Sequence, residues 1–461
     1  MVNTEKQNQN ERNGTNLELN EAAHLRRIST RRTLRIVIGK SITTALIRVG
    51  IGVLRLLSKR GLGREFLRQL PNEFLSLNPL KWATIAGGFS SFHFCLQTVS
   101  RIINPLRISH RIAVLISGII CSLPVFLLDK ETRAELSLYV LVRAVHVFCL
   151  RFILPKLPEC LQRFEHYDVM LMCINSSQIA YGFTFFPQSL PKSYQNFLTK
   201  ASLVDERLVR GHAGFLCGHV TPDLISFCQD RNAPFLIEGE NASDMMCNYV
   251  HPGITCNQWI LRFIPQNMLR LGIPLYGPLC VITTLATRRK HLMARPMHTI
   301  TRGITSVITS SLFVAVYSAC IVRAECFSMQ RKSRGGHMIP LLCLSAGLSV
   351  FLEPKGRRMD LALYCSVFAL RSFVLSQNRM GRLPYPRHWA VVLMYFVSII
   401  FLIFQYEEDS ALLHPRVRYV LQLLLGKNSS NNNNHKHPPP TITMAAKTTS
   451  NQYRETSLSR Q

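Results

Sequence analysis

Apolar residues gather into two blocks, 82–186 and 304–406, and each block divides into four segments close to the length a helix needs to cross a bilayer. In the first block they are about 82–100, 108–128, 134–154 and 167–186. In the second they are about 304–322, 337–353, 359–377 and 388–406, in the same order and spacing. Hydrocarbon supplies no partner for backbone N–H and C=O groups, so segments of this length satisfy them internally as helices. The expected fold is an all-α membrane protein of two pseudo-repeated four-helix transmembrane units, about eight spans. Composition agrees, with 47% hydrophobic and only 17% charged residues in 461.

The repeat is visible residue by residue. VFLLDKETRAELSLYVLVRAVHVF, 125–148, returns 225 residues later as VFLEPKGRRMDLALYCSVFALRSF, 350–373, with 11 of 24 positions identical. Lys130 matches Lys355, Arg133 matches Arg358, Glu135 matches Asp360 and Tyr139 matches Tyr364. Each acid falls in the first turn of a helix, where it complements the dipole, while the basic groups can reach lipid headgroups and the tyrosine suits an interfacial depth. These eight residues are the candidate headgroup-contacting turns. A sharper reading has Arg133 and Arg358 face a shared cavity and meet an anionic lipid or metabolite. His166 and His388 also match, each before the fourth segment of its block. Gly87, Gly88, Gly118 and Gly347 read as notches that let helix backbones approach closely.

Residues 1–33 read as a disordered polar tail without the apolar core of a secretory signal, and 426–461 as a low-complexity tail. Residues 34–60 form a basic amphipathic helix, with Lys40, Ser41, Thr44, Arg48, Arg55 and Lys59 on one arc, suited to a membrane surface. The two units occupy 75–200 and 296–425, joined by a cysteine-containing linker, 201–295. The linker ends in an apolar run broken by Pro265, Pro274 and Pro278, which reads as a re-entrant or surface helical pair rather than a clean span. It also holds an Asn241-Ala-Ser243 sequon and CNYVHPGITC, with Cys247, His251 and Cys256. A structural metal, a disulfide between the two cysteines and no special chemistry all fit that element. A fourth ligand is missing at an accustomed spacing, and Cys217, His219 or Cys228 could supply one only by folding back. No metal and no cofactor is assigned.

The net charge of +28, from 54 basic against 26 acidic residues, suits anionic lipid better than nucleic acid, because the basic residues sit between apolar runs. Eight cysteines lie singly in or beside those runs and act as small apolar residues in a reducing compartment. Nucleophile elbows, phosphate loops and H-E-x-x-H are lacking, so no enzyme is expected.

CNYVHPGITCNQW followed by LRLGIPLYGPLCVITTLATRRK resembles the cysteine-rich opening of the transmembrane protein 135 family. The turns Lys130, Arg133, Leu136, Tyr139 and Lys355, Arg358, Leu361, Tyr364 are similar to that family's K-x-x-R-x-x-L-x-x-Y turn. PKSYQNFLTK, with Pro191, Ser193, Tyr194, Phe197 and Leu198, is similar to its ending. The resemblance covers roughly 75–425, with the cysteine-rich element between the blocks instead of ahead of them. It implies an integral protein of peroxisomal or mitochondrial membranes, concerned with organelle organisation, division and lipid handling. The implied partners are the bilayer and its anionic lipids, and a second copy of the chain or organelle-division proteins. A lipid or small-metabolite transporter, with its site between the repeats, is the alternative.

Overall fold

The structure, a computed structural model, describes residues 35–45, 49, 77–103, 109–216, 221–230, 247, 251–287, 289–330 and 338–425. Both tails, most of 46–60, Cys217, His219 and the Asn241 sequon lie outside the described residues. Among the described residues every regular element is helical. The numbered helices are α1 (35–45), α2 (Leu77–Ser90), α3 (Phe92–Ile103), α4 (His110–Ser122), α5 (Lys130–Phe148), α6 (Tyr167–Phe185), α7 (Lys192–Ser202), α8 (Glu206–Leu216) and α9 (Pro222–Asp230). They continue with α10 (Cys256–Asn267), α11 (Ile273–Thr287), α12 (Pro296–Gln330), α13 (Met338–Cys343), α14 (Lys355–Arg379), α15 (His388–Glu408) and α16 (Pro415–Leu425).

Among the described residues, six helices are long and apolar enough to cross a membrane: His110–Leu127, Lys130–Lys156, Cys256–Leu285, Pro296–Ser328, Lys355–Arg379 and His388–Glu408. Three expectations change. The segment 82–100 is two helices, α2 and α3, meeting at Ser91. The segment 337–353 is α13 followed by a 3-10 helix, Leu344–Leu352, and the steeper rise of 3-10 turns lets this short stretch reach roughly 27 Å. The proline-broken run is one of the long helices rather than a surface pair, because a π-turn at Met268–Gly272 carries the backbone from α10 into α11 past Pro265. The segment 167–186 does form one helix, α6, but its centre, Asn175-Ser176-Ser177-Gln178, is polar.

The chain divides into two compact units, residues 1–129 with 396–461, and residues 130–395. In the first, α4 runs antiparallel to α15: Arg111 pairs with Glu408 at 3.1 Å, Gly118 faces Ile400 and Ile403, and the rings of Phe126 and Phe396 lie 5.8 Å apart. Here α1 turns its polar side inward. Lys40 Nζ donates to the Leu424 carbonyl at 3.0 Å and Ser41 abuts Gly87, while Ile36, Ile38 and Ile42 are exposed. The described part of the expected surface helix thus offers its apolar face outward.

In the second unit, α5 and α14 cross antiparallel, since Glu135 and Arg143 on one helix meet Arg371 and Asp360 on the other. Helix α6 runs parallel to α14 and satisfies its polar centre there: Asn175 Nδ2 donates to Ala362 O at 2.8 Å and Ser366 Oγ at 2.9 Å, and Gln178 Nε2 to Ser372 Oγ at 3.3 Å. Its other flank packs on the 3-10 helix at Gly347, where an added Cβ would sit 2.4 Å from the Cα and N of Cys173. Helices α10 and α11 lie antiparallel to α12, with Gly272 against Ser311 and Cys280 Sγ 3.6 Å from Gly303 O.

The two matching stretches of sequence take the same local path. The N–H of Leu128 donates to Val125 O at 3.1 Å, and that of Glu353 to Val350 O at 3.0 Å. Both residues are extended, and α5 and α14 then begin at Lys130 and Lys355.

Gly347→Ala should destabilise the detergent-solubilised protein by about 1–3 kcal/mol, because its neighbour is backbone and cannot rotate away. Gly356→Ala, with nothing within 4 Å, should be neutral or slightly stabilising. Thermal unfolding of both variants checks the contrast.

Candidate functional site

Helix α5 carries Arg143 into the middle of an otherwise apolar run, and α14 carries Asp360. Their side chains are 8% and 5% exposed and meet at 2.8 Å. Arg143 also lies over the Tyr139 ring at 5.5 Å. The equivalent acid of the first stretch, Glu135, reaches Arg371 of α14 at 3.4 Å in a more open setting. The sequence expectation that these acids complement helix dipoles does not hold: α5 and α14 begin five residues earlier, at Lys130 and Lys355, so neither Glu135 nor Asp360 lies in a first turn, and each instead holds the opposite helix.

Other residues of the turns occupy different environments. Arg358 donates from Nε to Glu353 O at 2.7 Å and from Nη2 to Phe351 O at 2.9 Å, which satisfies carbonyls at the end of the 3-10 helix. Arg133 is half-buried, and its backbone carbonyl accepts from Ser137 Oγ at 2.7 Å. Lys130 and Lys355 are exposed, and Lys355 lies 3.6 Å from Glu165. Tyr139 and Tyr364 are also exposed. His166 packs edge-on against Phe351 at 5.3 Å, and His388 opens α15 beside the exposed Trp389.

The second unit holds a partly open cavity of about 130 Å³ among α6, α7, α11, α12 and α14. Ile179, Tyr194, Tyr276, Tyr317 and Tyr364 form much of its wall, and Glu325 is the one carboxylate among its lining residues. Neither Arg133 nor Arg358 lines it. Tyr194 stacks on Phe368 at 4.0 Å, and burial of its phenol raises it well above the ordinary range, so the group stays neutral. Pro191 caps the start of α7, which presents Tyr194, Phe197 and Leu198 of the PKSYQNFLTK stretch to this wall. Chemically the cavity suits hydrocarbon.

The cysteine–histidine element is also brought together. The Cys247 and Cys256 sulfurs are 3.6 Å apart, so the disulfide is not formed. His251 joins them, with donor atoms of all three residues within 4.8 Å of one another. Cys228 does not fold back to this group; it is buried beside Leu208, Leu224 and Phe227.

Sequence reasoning passed over Arg143, Asn175, Glu325 and Cys326. For Arg143 the signal was present, since an ionisable residue inside an apolar span has to find a partner. The others are recognisable only from the packing. No protein-family model, curated protein or solved structure matches the chain.

Arg143→Leu should cost about 3–5 kcal/mol by leaving Asp360 buried without its cation, and Arg143→Leu/Asp360→Leu should recover most of that loss. Detergent thermal unfolding over the double-mutant cycle measures both; equal losses in the single and double variants would contradict the pairing.

Proposed function

We propose that the chain is an integral membrane protein related to the transmembrane protein 135 family, which organises peroxisomal or mitochondrial membrane and holds a lipid chain while doing so. It works without catalysis in this reading. The observation that carries it is the apolar, tyrosine-walled cavity of the second unit. A volume of about 130 Å³ is on the order of ten times what a single water needs, and apolar walls favour an apolar guest over ordered water. Exposed apolar side chains such as Leu261, Leu269 and Leu279 give α10 and α11 a lipid-compatible outer face.

Scaffolding is favoured over transport of an anionic solute by the contacts around the repeat. Glycine, serine and asparagine interlock α6, α14 and the 3-10 helix, and the matched arginines hold backbone or half-buried positions instead of lining a polar void. The transporter reading keeps one supporting observation, that helices of both sequence blocks wall the cavity, as expected where transporters bind substrate at a repeat interface. In either case the two stretches form an inverted pair.

A photoactivatable fatty acid added to the purified protein should label the peptide containing Tyr194. Filling the cavity with Ile179→Trp should lower that labelling about tenfold, while the outward-facing Leu279→Trp should not. Absence of labelling in folded wild-type protein would contradict the lipid reading. Lipid transfer between vesicles that is lost in Ile179→Trp would move the assignment to transporter. The organelle assignment is checked by fractionation, which should recover the chain in carbonate-resistant peroxisomal or mitochondrial membranes.

A further inference from the structure

Cys247 and His251 precede α10, and Cys256 is its first residue. Local backbone structure sets their geometry. The His251 N–H donates to Cys247 O at 2.9 Å, a backbone bond that brings the two residues together. Gly253 then turns the chain at φ +72°, a conformation that costs glycine nothing. The reciprocal cap between Thr255 and Gln258 starts α10, so Cys256 is held on a rigid end.

The distances fit one shared ion. In a tetrahedral site with zinc–sulfur bonds of about 2.3 Å, neighbouring donor atoms stand about 3.8 Å apart. The two sulfurs are 3.6 Å apart, too far for a disulfide bond of about 2.05 Å.

The imidazole supplies an independent indication. Its Nδ1 lies 2.9 Å from Ile254 O, and because a carbonyl only accepts, Nδ1 carries the proton. The lone pair is then on Nε2, which is buried without a hydrogen-bond partner in a residue 5% exposed. A histidine whose first nitrogen is anchored on a carbonyl and whose second is buried without a protein partner is oriented as a metal ligand is.

A further donor comes from a distant part of the sequence. Antiparallel packing of α10 and α11 on α12 brings the end of α12 level with the start of α10. There Cys326, 1% exposed, lies next to Cys247, just outside the three donor atoms that stand within 4.8 Å of one another.

We propose that Cys247, His251, Cys256 and Cys326 bind one zinc ion, which ties the start of α10 to the end of α12. Three thiolates and an imidazole select a soft-accepting, tetrahedral ion, and four protein ligands leave no open position, so the site is structural. On binding, the three thiols give up their protons to solvent and the imidazole stays neutral; no electron is transferred. The clamp joins the ends of two long apolar helices, and it is independent of the lipid reading.

The full chain, purified in detergent without chelator, should contain one zinc per molecule by elemental mass spectrometry. Exchange with cobalt(II) should give the thiolate charge-transfer and ligand-field absorption of a tetrahedral site. In the wild type, Cys247, Cys256 and Cys326 should resist alkylation until a strong chelator is added. Cys326→Ser should weaken zinc retention against a competing chelator at least about tenfold, and Cys228→Ser should leave it unchanged. Metal-free folded protein in which these three thiols react freely, or in which Cys247 and Cys256 are disulfide-bonded, would overturn the proposal. The alkylation pattern decides on wild-type protein alone, so it stands even where Cys326→Ser does not fold.

Discussion

Burying a guanidinium beside hydrocarbon is costly unless a carboxylate meets it with good geometry, and Arg143 and Asp360 satisfy that demand at 2.8 Å. The pair fixes more than two side chains. With Glu135 and Arg371 at the next level, it sets the direction and register of α5 against α14. Once those helices are antiparallel, α6 can lie parallel to α14, where Asn175 and Gln178 of its polar centre bond to a carbonyl and hydroxyls that α14 supplies, while Ser176 bonds back to Met172 O. A helix with Asn-Ser-Ser-Gln at its centre is then tolerable in an apolar setting, because its hydrogen bonds are closed within the protein.

Close approach follows from small residues. Gly347 leaves no room for a methyl group between the 3-10 helix and α6, and Gly272 does the same between the π-turn and α12. Where helices share lipid-like surroundings, such contact supplies the packing that water exclusion supplies in soluble proteins. The cavity lies beside this tight packing, walled by longer aromatic side chains. The Cys–His group sits at the end of the α10–α12 pair, where a cross-link would hold the helix ends together.

Much of the helical layout could be read from the residues alone. The fourth segment of each block appears as α6 and α15 within about two residues of expectation, because long apolar runs bounded by charge or proline have few alternatives. The run after Cys256 could not be read correctly. Three prolines argue for a break, and only the structure shows a π-turn absorbing the defect. That one helix changes the topology. With four crossings between the starts of α5 and α14, the repeated turns would emerge on the same membrane face. Among the six candidate spans, three lie between those starts, Lys130–Lys156, Cys256–Leu285 and Pro296–Ser328; an odd number of crossings would put the turns on opposite faces, in agreement with the antiparallel ion pairs. The partner of Cys247 was equally out of reach: Cys326 follows Cys256 by seventy residues, and no local spacing rule connects them.

The inverted relation of the two stretches is the claim on which the account rests, and the exposed lysines that open α5 and α14 report on it directly. Lys130→Cys and Lys355→Cys, made separately in otherwise native protein in sealed membranes, can be labelled with a membrane-impermeant maleimide before and after permeabilisation. The account predicts that one is labelled in intact membranes and the other only after they are opened. Labelling of both from the same side would contradict it.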